Sequence, residues 1–146
     1  MQEPKPFTNL TEKEALDLHK TMWDWIAKQT YARRKCMTKQ DYANEADNAM
    51  KEIFMQCPAC HYSVQHAGAI QCRECILLWD EFYPQSTCSA VRNDDRIPIT
   101  EGLFTRWTRA VSRNDYRTAA DLAQEIADLP AKTHALETRK ENDTLC

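Results

Sequence analysis

Two pairs of cysteines, Cys57-Pro58-Ala59-Cys60 and Cys72-Arg73-Glu74-Cys75, stand eleven residues apart near the middle of the chain. A C-x-x-C turn presents two sulfurs on one side of a tight knuckle. A second knuckle completes the four ligands that a structural Zn²⁺ takes in a tetrahedron. The spacer is a little shorter than the common zinc-finger spacing, yet long enough to double back and close the site. Four thiolates leave no open coordination position. A zinc ion on Cys57, Cys60, Cys72 and Cys75 would therefore hold structure without activating water. The plain alternative, four unrelated thiols, fits two knuckles this close together poorly. A dithiol redox motif fits no better, because no βαβ pattern surrounds either pair.

Other metal-binding side chains lie nearby. His61 and His66 fall between the knuckles, and with four thiolates available they read as outer groups or surface residues. Cys88, thirteen residues beyond Cys75, either replaces one thiolate or sits beside the cluster as a spare. Cys36 and Cys146 are too isolated to assign. An acid–base pair can be assembled from His61, His66 and Glu74, but a deaminase-like site needs H-x-E ahead of P-C-x-x-C and one ligand position left to water. Here Pro58 sits inside the first knuckle and no H-x-E precedes it. The chain has no glycine-rich phosphate loop, no G-x-S-x-G elbow and no H-E-x-x-H helix. A non-enzymatic protein is expected.

The elements that must position the cysteines read as helices. Glycine occurs only twice in 146 residues, too seldom for a sheet with many tight hairpins. The fold class expected is mainly α: a compact helical domain with a central four-cysteine zinc knuckle. Residues 1–9 read as an extended arm, residues 10–130 as a single helical zinc-binding domain, and residues 131–146 as a frayed helix or mobile tail. Thr11 and Glu14 form a capping box opening a first helix whose wide apolar face includes Ala15, Leu18, His19, Met22, Trp23 and Ile26. Trp23 and Trp25 fall on different faces, so one enters the core and the other meets the knuckle or a partner. Arg33-Arg34-Lys35 complements the negative end of that helix, and three charges alone are few for a phosphate site.

Thr38 is expected to cap a second helix over residues 39–56, with Tyr42, Ala46, Ala49, Ile53 and Phe54 on one side and Asp41, Glu45, Asp47 and Glu52 on the other. Ile76-Leu77-Leu78-Trp79 is expected to pack across the second knuckle and keep water from its sulfurs. Residues 84–99, with Pro84, Asn93-Asp94-Asp95 and Pro98, read as an irregular exposed loop. Thr100 then caps a third helix with Leu103, Phe104, Trp107, Ala110 and Val111 inward. Ser112 or Asn114 starts a fourth, rich in alanine and ended by Pro130.

A hydrophobic content of 42% and a charged content of 28% are ordinary for a globular chain. A net charge of −3 is neither the basic excess of a dedicated nucleic-acid binder nor the strong acidity of a DNA mimic. The apolar runs fall short of the ~20 residues that span a bilayer, and residues 1–6 lack the apolar core of a signal peptide. A cytoplasmic location is expected, where cysteines bind metal and an odd count of seven is no difficulty.

The order of these features resembles a group of small cysteine-rich proteins common in phages and prophages of Gram-positive bacteria. The resemblance is carried by residues 18–27 (LHKTMWDWIA), Cys57-Pro58-Ala59-Cys60-His61-Tyr62, residues 71–79 (QCRECILLW), Cys88, residues 103–107 (LFTRW) and residues 123–130 (AQEIADLP). It covers about residues 10 to 130. Ile76, where similar proteins tend to place proline, and an insert from Val91 to Thr100 depart from the pattern. The resemblance implies a phage accessory protein in a bacterial host cell. By extension it implies an anti-CRISPR inhibitor that binds a CRISPR-associated, type II RNA-guided nuclease and obstructs nucleic-acid loading. Its acidic helix face and loop 84–99 would then dock on a basic surface of that nuclease. The alternative is a zinc-ribbon-like DNA- or RNA-binding protein using Arg33, Arg34, Lys35 and Arg73, with salt-dependent affinity.

Overall fold

Thr11 opens the first helix as its sequence dictates. Its hydroxyl accepts from the Glu14 backbone N–H at 3.1 Å, and the Glu14 carboxylate accepts in return from the Thr11 N–H. The computed structural model describes residues 10–53, 57–67, 75–80, 86–92 and 98–131. Helix α1 spans Glu12–Arg33 and stops where Arg34 turns left-handed, with φ of 53°. Its buried face runs Ala15, His19, Met22, Trp23, Ile26, Ala27 and Thr30, a spacing of three and four that keeps one side of the helix inward. The expected arm of residues 1–9 lies outside the described residues, as does the expected tail of residues 131–146 apart from Ala131, which bridges Leu77.

Helix α2 is shorter than expected. It spans Lys39–Glu45, opened by a second capping box in which Thr38 accepts from the Asp41 N–H. The chain leaves the helix at Ala46 because Asp47 caps a new turn, its carboxylate accepting from the Ala49 N–H. A 3₁₀ helix, Asn48–Glu52, follows. The break shifts the phase of the apolar stripe: Tyr42, Ala43, Met50 and Ile53 are buried, whereas Ala46 and Ala49 face outward. Phe54 and Gln56 lie outside the described residues. Helix α3, Pro58–Ala67, starts inside the first cysteine knuckle.

The segment 84–99, expected as an exposed loop, carries structure where it is described. Ser86 and Thr87 are buried, and Ser86 Oγ accepts from the Arg92 N–H at 3.0 Å. Strand β1 (Ala90–Arg92) pairs antiparallel with β2 (Pro98–Glu101), in the register Ala90↔Glu101 and Val91↔Thr100 with an irregularity after Val91. Thr100 therefore lies in a strand, and helix α4 (Leu103–Ser112) starts from Gly102 without a side-chain cap. Helix α5 (Tyr116–Ala127) is capped by Asp115, not by Ser112 or Asn114. Its carboxylate accepts from the Thr118 N–H at 3.3 Å, while Asn114 makes the left-handed turn ahead of it with φ of 58°.

The core forms where α5 lies antiparallel along α1, with α4 packed on α5 and reaching α1 through Phe104 and Trp107. Ala119, Ala123 and Ala127 recur every fourth residue on α5, so its backbone can approach α1 closely, and Met22, Ile26 and Ile126 fill the seam. Each such aliphatic side chain contributes about 1.5–3 kcal/mol by leaving water. Trp23 meets Trp107 edge-on, ring centres 4.9 Å apart, with Phe104 alongside. Trp25 turns the other way, against Tyr42 of α2 and under the Arg33 guanidinium. These helices make the chain mainly α, as its scarcity of glycine implies. Among the described residues no helix is long and apolar enough to cross a membrane.

Candidate metal centre

Cys57 immediately precedes α3, and the first turn of that helix is the knuckle. The His61 N–H donates to the Cys57 carbonyl at 2.9 Å, and the Cys60 N–H donates to Cys57 Sγ at 3.4 Å. The sulfur thus serves as a helix N-cap would, taking an N–H that has no partner within the helix. Pro58, which has no N–H to leave unpaired, suits the position after it. A hydrogen bond from the Cys60 thiol holds the Cys57 thiol down to about 6, against the opposing effect of burial. The Lys39 ammonium and the N–H groups of Cys60 and Ala59 act in the same direction as that hydrogen bond. Cys60 is pushed upward by the same bond, by burial, and by the neighbouring thiols of Cys57, Cys75 and Cys88.

Cys75 likewise has an N–H aimed at its sulfur. Trp79 Nε1–H donates to Cys75 Sγ at 3.4 Å, and the indole is buried against His19 with ring centres 6.4 Å apart. Leu77 and Leu78 are buried beside it. The Leu78 N–H donates to the Pro130 carbonyl at 3.0 Å, and Leu77 bridges Ala131, so this segment is clipped to the chain leaving α5. Of the sulfurs expected behind residues 76–79, Cys75 is met by Trp79, while Cys72 lies outside the described residues.

Cys57, Cys75 and Cys88 all pack half-buried against the core. Cys88 is placed by the start of α4: its carbonyl accepts from the Phe104 N–H at 2.9 Å, and the Gly102 N–H donates to the next carbonyl, Ser89, at 2.8 Å. Cys72, Arg73 and Glu74 lie outside the described residues, as do Gly68 and Cys146. Among the described residues, no group of three or more His, Cys, Asp or Glu side chains is placed to hold a metal ion. His61 and His66 both fall on α3, and His61 is half-buried. Cys36 packs against the core away from the knuckle, its thiol raised by burial and then by the Asp115 carboxylate.

Lys39 is the contributor that sequence reasoning missed. Its ammonium lies 4.5 Å from the centre of the Phe104 ring and 5.9 Å from that of Trp23, and its charge acts on both Cys57 and His19. A lysine at the first position of a short helix carries no signal that it stands beside a thiolate eighteen residues on. The acidic face expected on the second helix is largely engaged within the fold. Glu45 forms a two-point ion pair with Arg33, the closer contact at 2.9 Å, and Asp41 and Asp47 serve as caps.

The fold and the knuckle together describe a mainly helical protein with sulfur-directed N–H groups at its centre. No family model, no curated protein and no solved structure matches the chain.

Proposed function

We propose that this chain is a non-enzymatic binding protein whose middle is pinned by one structural zinc ion on Cys57, Cys60, Cys72 and Cys75. The observation that carries the reading is the pair of N–H···S bonds, from the Cys60 backbone to Cys57 and from the Trp79 indole to Cys75. Donors aimed at sulfur favour thiolate over thiol, and outer partners of this kind orient metal-bound cysteines and raise affinity. A tetrathiolate zinc carries two net negative charges, and Lys39 stands where it offsets part of them. The zinc would supply cross-linking alone, and Trp79, Leu77 and Leu78, all buried, would cover one side of it.

The partner class follows from the resemblance to phage and prophage proteins: a host defence nuclease, of the RNA-guided type II class, inhibited by obstruction of its nucleic-acid channel. Asp41, Glu45 and Asp47 are engaged within the fold, which leaves exposed Glu52 as the acid of that helix face open to a basic partner surface. Elemental measurement on purified protein should find one zinc per chain. Cys57→Ser and Cys75→Ser should each lose most of it, as should Cys72→Ser. Zinc-free material from a zinc-replete preparation would end the metal reading. For the partner, nuclease-treated lysate from cells expressing a type II effector should yield that effector on the immobilised chain. Purified chain should also slow its DNA cleavage, and full cleavage at a large molar excess would end the inhibitor reading.

A further inference from the structure

The last turn of α1 and the turn joining α4 to α5 come to the same end of the bundle. Tyr31 lines an open groove of about 330 Å³ with Ala27 and Lys28 of α1 and Ala120, Asp121 and Gln124 of α5. Its hydroxyl is close enough to influence Arg117, and Cys36 is close enough to Asp115 to feel its charge. The antiparallel packing thus joins two stretches far apart in sequence. From Tyr31 to Lys39 there are four cations and no carboxylate; from Arg106 to Arg117 there are four arginines and one carboxylate, Asp115.

Not all of these charges are available. Arg33 is paired with Glu45, Arg109 with Glu101, and Lys39 lies over the aromatic core. Arg106 faces a different groove, with Asp121, Glu125 and Asp128, which leaves at this end Arg34, Lys35, Arg113 and Arg117, all exposed, and among the described residues none of these four forms an ion pair. Asp115, the acid among them, is committed to capping α5. Of the acids beyond Asp115, Asp121 lines the same groove as Tyr31 opposite Lys28, while Glu125 and the cap residue Asp128 lie further along, so a chain with a net charge of −3 still presents a mainly basic end. Tyr31 stands 69% exposed beside these cations, the large apolar side chain left in water among the described residues. Tyr116 holds the Arg117 guanidinium over its ring, 5.9 Å from the centre.

We infer that this end of the bundle binds the phosphodiester backbone of a single nucleic-acid strand, with Arg34, Lys35, Arg113 and Arg117 on phosphates and Tyr31 stacking on a base. Charge complementarity selects a polyanion, and the surface chemistry selects among polyanions. A protein-binding patch of this size centres on a desolvated apolar cluster with a polar rim. Here one tyrosine stands among four dispersed cations. That arrangement of one aromatic platform among backbone-tracking charges is how sequence-tolerant single-strand sites are built. Guanidinium groups also match phosphate oxygens in pairs, which a lysine-only patch would not. The inference is independent of the zinc and nuclease readings and adds a second ligand class.

The test is fluorescence anisotropy of the full chain with labelled mixed-sequence 20-mers of single-stranded DNA and RNA between 50 and 200 mM salt. Four phosphate contacts predict a log–log salt slope of about −2.8, which weakens binding roughly 50-fold over that range. The double variant Arg34→Ala/Arg117→Ala should bind at least tenfold more weakly, with a slope near −1.4. Tyr31→Ala should weaken binding about fivefold or more with the slope unchanged, and Tyr31→Phe should bind as the parent does. Circular dichroism on each variant verifies that the fold is intact. Three results overturn the inference: no binding at 50 mM salt, undiminished binding by the arginine double variant, or binding to poly-glutamate as tight as to the oligonucleotides. The last would make an acidic protein surface the occupant.

Discussion

His19 sits inside the core with an imidazole that has one well-defined task. Its Nε2–H donates to the Ile126 carbonyl at 2.8 Å, linking α1 to the last turn of α5. Burial lowers its pKa from 6.5 to about 4, outweighing the hydrogen bond to Ile126, which acts the other way. Lys39 and Lys20 lower it further, and Asp24 opposes them. The unfolded chain takes up the proton near pH 6.5 and the folded chain only near pH 4. Stability contributed by the neutral imidazole is therefore complete above about pH 6.5 and is lost as pH falls toward 4. The total is on the order of 3 kcal/mol. Urea midpoints measured from pH 7.5 to 4 should fall more steeply for the parent chain than for His19→Gln, which keeps a donor but does not titrate. Parallel curves would show that His19 does not govern the acid response. The sequence places His19 on the apolar face, but its carbonyl partner lies 107 residues away and has no local signal. The pairing of Trp79 with Cys75 was more legible, since the two are four residues apart.

Gly102 shows what an element can require of one residue. Its φ of −73° is open to any amino acid, so the requirement is purely spatial. A Cβ there would come within 2.6 Å of the Ala90 nitrogen and closer still to the Cys88 carbonyl. The glycine lets the turn carrying Cys88 rest on the start of α4 through the bonds from Gly102 and Phe104. Gly102→Ala should lower stability by about 1–3 kcal/mol, because backbone must move to admit the methyl group. A thermal midpoint equal to that of the parent would refute this account. The same region explains which elements were readable. The openings of α1 and α2 each have a threonine cap with an acid three residues on, and both start as the pattern predicts. The end of α2 was not readable, because Asp47 competes for the backbone only once the preceding turn has formed. The hairpin was missed because strands of three and four residues leave no alternation to detect. Thr100 looked like a cap because nothing local distinguishes it from a strand residue two positions before one.

Across the whole molecule, two kinds of support hold different parts of the chain. The α1–α4–α5 assembly is closed by Met22, Trp23, Ile26, Trp107, Leu122 and Ile126, all buried and none dependent on a cysteine. Helix α3 has weaker anchors. It packs against α1 with Tyr62 on the core and Pro58 and Ala59 buried at its start, its Gln65 exchanges hydrogen bonds with the backbone of Leu10, and its first turn carries Cys57 and Cys60. The segment 75–80 combines both kinds of support, tied to Pro130 and Ala131 by backbone and to the sulfur site through Trp79. Removal of the proposed zinc should therefore not unfold the chain as it does a zinc-finger peptide, where metal binding is the folding energy. Chelator-treated protein should lose roughly a sixth of its helical ellipticity, the share that the ten residues of α3 contribute to the described α-helices. Hydrogen exchange should remain slow in α1 and α5, become fast across residues 57–67, and quicken by a smaller factor across residues 75–80. Loss of protection in α1 and α5 as well would mean that the helical core cannot stand without the ion. Unchanged exchange at residues 57–67 would mean that the ion does not hold α3 at all, and Gln65 with Leu10 would then be its true anchor.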